Sequence, residues 1–288
     1  MTVLGGCATT FLLPGREVEL SGPPLLPSKI YPVEQKEVRV INASGESLVG
    51  WTFSEPHDKG TVLIAGGNRM SLTEVVHYNS FLFRNGFRVL VYSYQGHDQS
   101  GGSRNIRSLL SDAMTFYNYA TTAFPEEPVL LAGESISGVT SLCLASQLSN
   151  PPAIMVEGII DLNTVGYANA RKFWPLFFIG FPIAFLIDID VPESLDVMRC
   201  ARALSSSPAP KPILFVHSTH DVLAPYSDMK KVYDQYTGPK QLLVPHCNPG
   251  AKCHMTLYLD SEARREVVKF ISSSLYISTS REHIRHDA

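Results

Sequence analysis

The sequence predicts an α/β protein with a mostly parallel central sheet and helices on both faces. Three observations predict it. Short apolar, β-branched-rich runs recur at 61–65, 88–92, 128–132, 153–160, 212–217 and 241–244. Stretches with apolar residues at helical spacing separate most of them. The runs are close to continuously apolar rather than alternating, which marks strands buried on both faces by crossover helices. A chain of 288 residues, 44% hydrophobic and 18% charged, has enough apolar surface for one large domain of this class.

Taken in order, residues 1–35 carry Pro14, Pro23, Pro24, Pro27 and Pro32 and neither periodicity, so they read as a tether. The domain is expected over 36–276. It opens with alternation at 38–41, a break at Gly45 and renewed alternation at 47–53, the pattern of a β-hairpin. A strand at 61–65, a helix over 72–85 closed by Gly86 and a strand at 88–92 form a βαβ unit, whose crossover requires parallel strands. Helices follow at 109–123, 138–148, 227–236 and 261–275, and a polar tail at 277–288 holds His283 and His286.

One span, about 162–205, breaks the rhythm. Its run from Phe173 to Ile187 is uncharged for 15 residues and contains Pro175 and Pro182. That is short of the roughly 20 residues a membrane helix needs. We read it as an apolar lid insert, with Trp174, Phe177, Phe178 and Phe181 lining a substrate pocket. A buried helix or a membrane-surface patch is the competing reading.

A net charge of −3 with scattered Lys and Arg excludes the basic surface that nucleic acid requires. Cys7, Cys143, Cys200, Cys247 and Cys253 lack the spacings of a zinc site, so no metal is expected. Cys247 and Cys253 flank a Pro-Gly turn and are either bridged or two free thiols. Leu4-Gly5-Gly6-Cys7 matches the end of a lipoprotein signal, which marks Cys7 as a lipidation candidate. The expected location is the bacterial cell envelope, lipid-anchored or periplasmic, if translation starts upstream, and the cytoplasm if Met1 is the genuine start. Membrane association would run through the lipidated N-terminus or the apolar insert. The oligomeric state is not legible.

The chemistry-bearing residues follow strand ends. Gly133-Glu134-Ser135-Ile136-Ser137-Gly138 reads as strand, tight turn and helix with a serine at the apex. This is a nucleophile elbow, although Ser137 stands where G-x-S-x-G has its last glycine. The alternative for Ser135 is an ordinary helix cap. A serine hydroxyl needs an imidazole to take its proton and a carboxylate to orient that imidazole. Asp221 lies four residues past the 212–217 strand, with Asp161 as main rival and Asp188 and Asp190 less well placed. His254 precedes the last helix and is preferred over His246, while His77 and His97 have no comparable position. The glycine turn Gly66-Gly67-Asn68 after a strand offers the Asn68 amide as an oxyanion donor beside that of Ile136. G-x-G-x-x-G is absent, so no dinucleotide or other cofactor is expected.

These motifs resemble the α/β-hydrolases of the serine-aminopeptidase and monoacylglycerol-lipase-like group, especially versions found in bacterial lipoproteins. His-Gly-Asn of that group is matched by Gly66-Gly67-Asn68. Asp-Tyr-Arg-Gly-Tyr-Gly-x-Ser-x-Gly is similar to the run from Ser93 to Gly102, and Gly-Glu-Ser-x-Gly-Gly to 133–138. The departures at Gly66, Ser93 and Ser137 surround the expected active centre. The resemblance implies the α/β-hydrolase fold and a serine hydrolase; the first reading is cleavage of a carboxylic ester in a small-molecule acyl substrate, for which the apolar insert favours a medium or long acyl chain. An amidase or peptidase of the same fold is the alternative, as is a degenerate hydrolase serving as an envelope-associated binding protein.

Overall fold

In the computed structural model, the described residues are 33–56, 58–68, 70–162, 164, 191–248 and 253–286. Cys7, Trp174, Phe177, Phe178, Phe181, Asp188 and Asp190 lie outside them. The chain runs through β1 (Glu34–Ile41), β2 (Ser47–Ser54), β3 (Thr61–Ala65), α1 (Leu72–Phe83), β4 (Arg88–Tyr92), α2 (Leu109–Ala123), β5 (Val129–Glu134) and α3 (Ile136–Gln147). It continues with β6 (Ile154–Glu157), a 3₁₀ turn (Glu193–Leu195), α4 (Val197–Ser205), β7 (Ile213–Val216), α5 (Tyr226–Gln235), β8 (Lys240–Leu243) and α6 (Ser261–His286).

The described strands form one eight-stranded sheet in the order β1-β2-β4-β3-β5-β6-β7-β8. The opening hairpin is antiparallel and β2 joins β4 antiparallel, while the remaining pairs are parallel. This is the α/β-hydrolase fold. Alternate residues of the central strands feed two cores. Leu63, Leu90, Leu131, Val156 and Phe215 pack with Phe116, Val139, Ala201 and Met229 of α2 to α5. On the other face, Val62, Ile64, Val89, Val91 and Leu130 pack with Leu82 of α1 and Val267 and Ile271 of α6. Burial on both faces explains the unbroken apolar runs.

Most boundaries fall within a residue or two of those read in the sequence, and four differences bear on the architecture. β1 begins at Glu34, inside the span read as tether. β6 stops at Glu157 rather than running to 160, because Gly158 takes a φ of +58° and turns the chain. α3 starts at Ile136, not 138, so no residue but the serine separates it from β5. The backbone of α6 stays helical to His286, through the residues read as a polar tail. At the end of the span read as insert, α4 is an amphipathic core helix. Asp196 caps it by accepting from the N–H groups of Met198 and Arg199, and a disulfide between Cys143 and Cys200 ties it to α3.

The elbow depends on a close approach of strand and helix. A Cβ on Gly133 would lie 2.2 Å from the carbonyl oxygen of Ser137, whereas one on Gly138 would find only ordinary contacts of 3.4 Å and beyond. Gly133→Ala is therefore expected to destabilise the protein by more than about 3 kcal/mol. Gly138→Ala should stay within about 1 kcal/mol of wild type, since alanine is the better helix former. Urea unfolding of the two variants checks this, and equal losses would contradict it.

Candidate active site

Ser135 sits alone between β5 and α3 with φ 57° and ψ −117°, a conformation that costs a non-glycine residue on the order of 1–3 kcal/mol. Its N–H donates to the Glu157 carbonyl at 2.8 Å on the neighbouring strand, and its own carbonyl accepts from Gly138 N–H at 3.0 Å. The backbone is thus held from both sides. Its side chain makes no capping hydrogen bond to α3, so the hydroxyl is not spent as a helix cap.

Asp221 follows β7 on a tight loop. Its Oδ1 accepts from the N–H groups of Leu223 at 2.8 Å and Ala224 at 2.9 Å, and its Oδ2 lies 2.6 Å from His254 Nδ1. Those bonds fix the carboxylate, and it in turn fixes the ring, placing the proton on Nδ1 and leaving Nε2 as an acceptor. Of the rivals, Asp161 accepts from Thr164 Oγ1 at 3.1 Å, and His246 is an exposed loop residue whose N–H donates to Asp260. His77 is exposed on α1.

Two chains of contact bring the loop carrying His254 close to the serine. The His254 ring lies against Gly158, where an added Cβ would be 2.9 Å from Cε1 and 3.1 Å from Nδ1. Gly158 directly follows Glu157, whose carbonyl holds Ser135. Met255 comes next after His254, and an added Cβ on Gly67 would be 3.2 Å from Ser135 Cβ and 3.3 Å from Met255 Sδ. In this structure Ser135 Oγ makes no hydrogen bond to His254 among the described residues.

On the other side of the serine, Asn68 and Ile136 line one small cavity of about 20 Å³ with Gly66, Gly67, Tyr94, His97 and Asp98. It has room for about one water molecule. Ser137 is wholly buried; its hydroxyl donates to the Gly66 carbonyl and accepts from Tyr94 Oη at 3.1 Å. The residue that departs from the elbow pattern therefore pins the turn carrying Asn68 to the helix carrying Ile136. A second departure is offset nearby. Ser93 Oγ donates to Asp98 Oδ2 at 2.8 Å, so a carboxylate reaches that spot from five residues on, with Asp98 at φ 47°. Burial lowers His97 to about 4, so it is neutral at physiological pH.

Sequence reasoning misses two buried carboxylic acids below the site. Glu134 and Glu157 are register partners on β5 and β6, and each is at most 2% exposed. Burial pushes Glu134 up to about 8, with the charge of Glu157 adding to it and a hydrogen bond from Asn79 opposing. Burial pushes Glu157 up to about 7, opposed by N–H groups of Leu257 and Thr256. His217 is missed as well. It stands 3.7 Å from Asp221 Oδ2, contacts the Ala224 carbonyl through Nε2, and is shifted down by burial. Among the described residues no group of three or more His, Cys, Asp or Glu side chains converges as a metal site.

A serine between a parallel strand and a helix at φ > 0, with an Asp–His pair after two later strands of the same sheet, is the arrangement that decides the assignment. The chain has the α/β-hydrolase fold. The sequence profile described as "Serine aminopeptidase, S33" matches residues 56–178, which include the Gly66-Gly67-Asn68 turn and the elbow. The chain is 25% identical over 264 residues to the protein YfhR of Escherichia coli O157:H7, covering 86% of this chain and 85% of that one. It is 26% identical over 166 residues to the lysophosphatidylserine lipase ABHD12 of Danio rerio, covering 54% of this chain and 41% of that one. Among solved structures, the Pyrococcus furiosus esterase Pf2001 superposes with a TM-score of 0.70 at 17% identity, covering 90% of this chain and 97% of that one. A puromycin-hydrolyzing peptidase of Mycobacterium tuberculosis superposes at 0.65 and 16% identity, covering 87% of this chain and 40% of that one.

The buried acids make stability depend on pH. Glu134 in the folded protein holds its proton up to about 8, while the unfolded chain releases it near the ordinary value of 4.5. The folded state therefore binds more protons in that window, and stability falls as pH rises through it. Glu134→Gln removes this loss. The melting temperature of the variant relative to wild type is expected to rise by at least about 2 °C between pH 5 and pH 9. A constant difference across that range would contradict the assignment.

Proposed function

We propose that this chain is a serine hydrolase that cleaves a carboxylic ester through an acyl-Ser135 intermediate. The observation that carries the reading is the 2.6 Å contact between Asp221 and His254 beside a serine held in a strained turn. Nε2 of His254 takes the Ser135 proton as the hydroxyl oxygen bonds to the acyl carbon. The resulting oxyanion is met by the N–H groups of Asn68 and Ile136. His254, now positive and stabilised by Asp221, returns the proton to the leaving alcohol as the ester C–O bond breaks. Water, deprotonated by the same ring, then attacks the acyl-serine and frees the acid. No step calls for a cofactor.

An apolar acyl chain suits the run holding Trp174, Phe177, Phe178 and Phe181, since burial is worth about 0.8 kcal/mol per methylene. The esterase and lipase named among similar proteins support ester chemistry. Amide cleavage is the second reading, favoured by the fold shared with the puromycin-hydrolyzing peptidase.

Location is part of the proposal. Disulfides persist in oxidising compartments, and two are formed, Cys143–Cys200 and Cys247–Cys253. Of the five cysteines these bridges leave Cys7, which we read as the lipidation site of an envelope protein. Mass spectrometry of the N-terminal peptide from cells should find Cys7 acylated; an unmodified Cys7 in every peptide would remove that part.

Short p-nitrophenyl esters are expected to be hydrolysed faster than aminoacyl anilides, with wild type labelled by a fluorophosphonate. Ser135→Ala should abolish both turnover and labelling, and Asp221→Asn should lower kcat by about 10³ to 10⁴. Labelling that survives in Ser135→Ala would mean that another nucleophile reacts. Absence of labelling in folded wild type would favour the degenerate binding protein.

A further inference from the structure

We propose that Glu157 is a positioning residue for His254, a second buried carboxylate that holds the histidine loop and favours its positive charge. The inference rests on the serine-hydrolase reading and deepens it. One residue touches both halves of the site. Its main-chain carbonyl accepts from Ser135 N–H at 2.8 Å, and its side chain accepts from Leu257 N–H at 2.9 Å and from Thr256 N–H, three and two residues past His254. Gly158, the next residue, is the floor on which the imidazole rests.

The carboxylate is 2% exposed, so its bonds to those amides do not compete with bulk water. Other charged groups also face it. Glu134 lies beside it on β5, and Asp221 and His254 approach from the two loops above. Glu134 has a side-chain amide from Asn79 on one oxygen and no partner on Oε2 among the described residues, whereas Glu157 has two backbone donors. Donors favour the ionised form, so when the pair gives up its first proton the negative charge resides on Glu157, nearer the histidine. Asp221 orients the ring from its Nδ1 edge, and Glu157 fixes the backbone that carries the ring.

The test uses the full-length protein, with the Cε1–H signal of His254 assigned by its loss in His254→Gln. In Glu157→Gln, which is close in shape but neutral, the midpoint of the His254 titration should fall by about half a pH unit or more. On p-nitrophenyl butyrate, kcat should drop at least about tenfold with KM within about twofold, as expected when the ring is misplaced and substrate binding is left intact. Glu157→Asp keeps the charge but shortens the reach. It should keep the His254 midpoint near wild type while kcat still falls, and it serves as the test if the glutamine variant does not fold. A folded Glu157→Gln with wild-type kcat and an unmoved His254 midpoint overturns the proposal, as does a folded Glu157→Asp with wild-type kcat. If wild type neither turns over esters nor takes the fluorophosphonate, the hydrolase reading fails, and the titration alone still decides whether Glu157 governs the histidine.

Discussion

The site depends on a single main-chain hydrogen bond, from Ser135 N–H to the carbonyl of Glu157. A serine at φ 57° is strained, and such strain persists only where the surroundings over-determine it. Pairing of β5 with β6 supplies half of that determination, and the closeness of Gly133 to the Ser137 carbonyl supplies the rest. The same pairing places Gly158 under the His254 ring. The parallel register therefore sets Ser135 and the floor beneath the His254 ring in one step, and later loops deliver the ring and its carboxylate.

Around that bond, two of the three residues that depart from the resembling pattern, Ser93 and Ser137, carry compensating contacts. Glycine at 137 would leave the Gly66 carbonyl without the hydroxyl that now donates to it, and would remove one of the partners of Tyr94 Oη. Serine at 93 lacks a carboxylate, and Asp98 restores one by adopting a left-handed backbone. The first ties the turn bearing Asn68 to α3, and the second joins the loop after β4 internally. A departure in a motif is thus not by itself loss of function; what matters is whether the bond that the motif residue served is made by another.

Much of this is legible in the sequence because it is local. Unbroken apolar runs, a glycine-flanked serine and an aspartate shortly after a strand each leave a mark within a few residues. The hairpin, the βαβ unit and the positions of Ser135, Asp221 and His254 are read that way. Glu134 and Glu157 are not, since each looks like an ordinary strand-end glutamate until the register sets them side by side. The Cys143–Cys200 bridge joins residues 57 apart and leaves no spacing signal. The capping box of Ser71 and Glu74 does leave one, Ser-x-x-Glu before an apolar run, although the helix is legible from its apolar spacing without it.

The two buried acids also compete for one negative charge. Side by side in a medium of low polarity, two carboxylates cannot both ionise cheaply. The donors of Thr256 and Leu257 favour ionisation of Glu157, and they belong to the loop that carries His254. Glu134 then stays neutral and fills space against Asn79. If the negative charge moved to Glu134, the loop amides would lose an ionised acceptor and His254 a nearby counter-charge. The arrangement thus converts an electrostatic conflict between neighbouring strands into a restraint on the loop that the proposed chemistry requires.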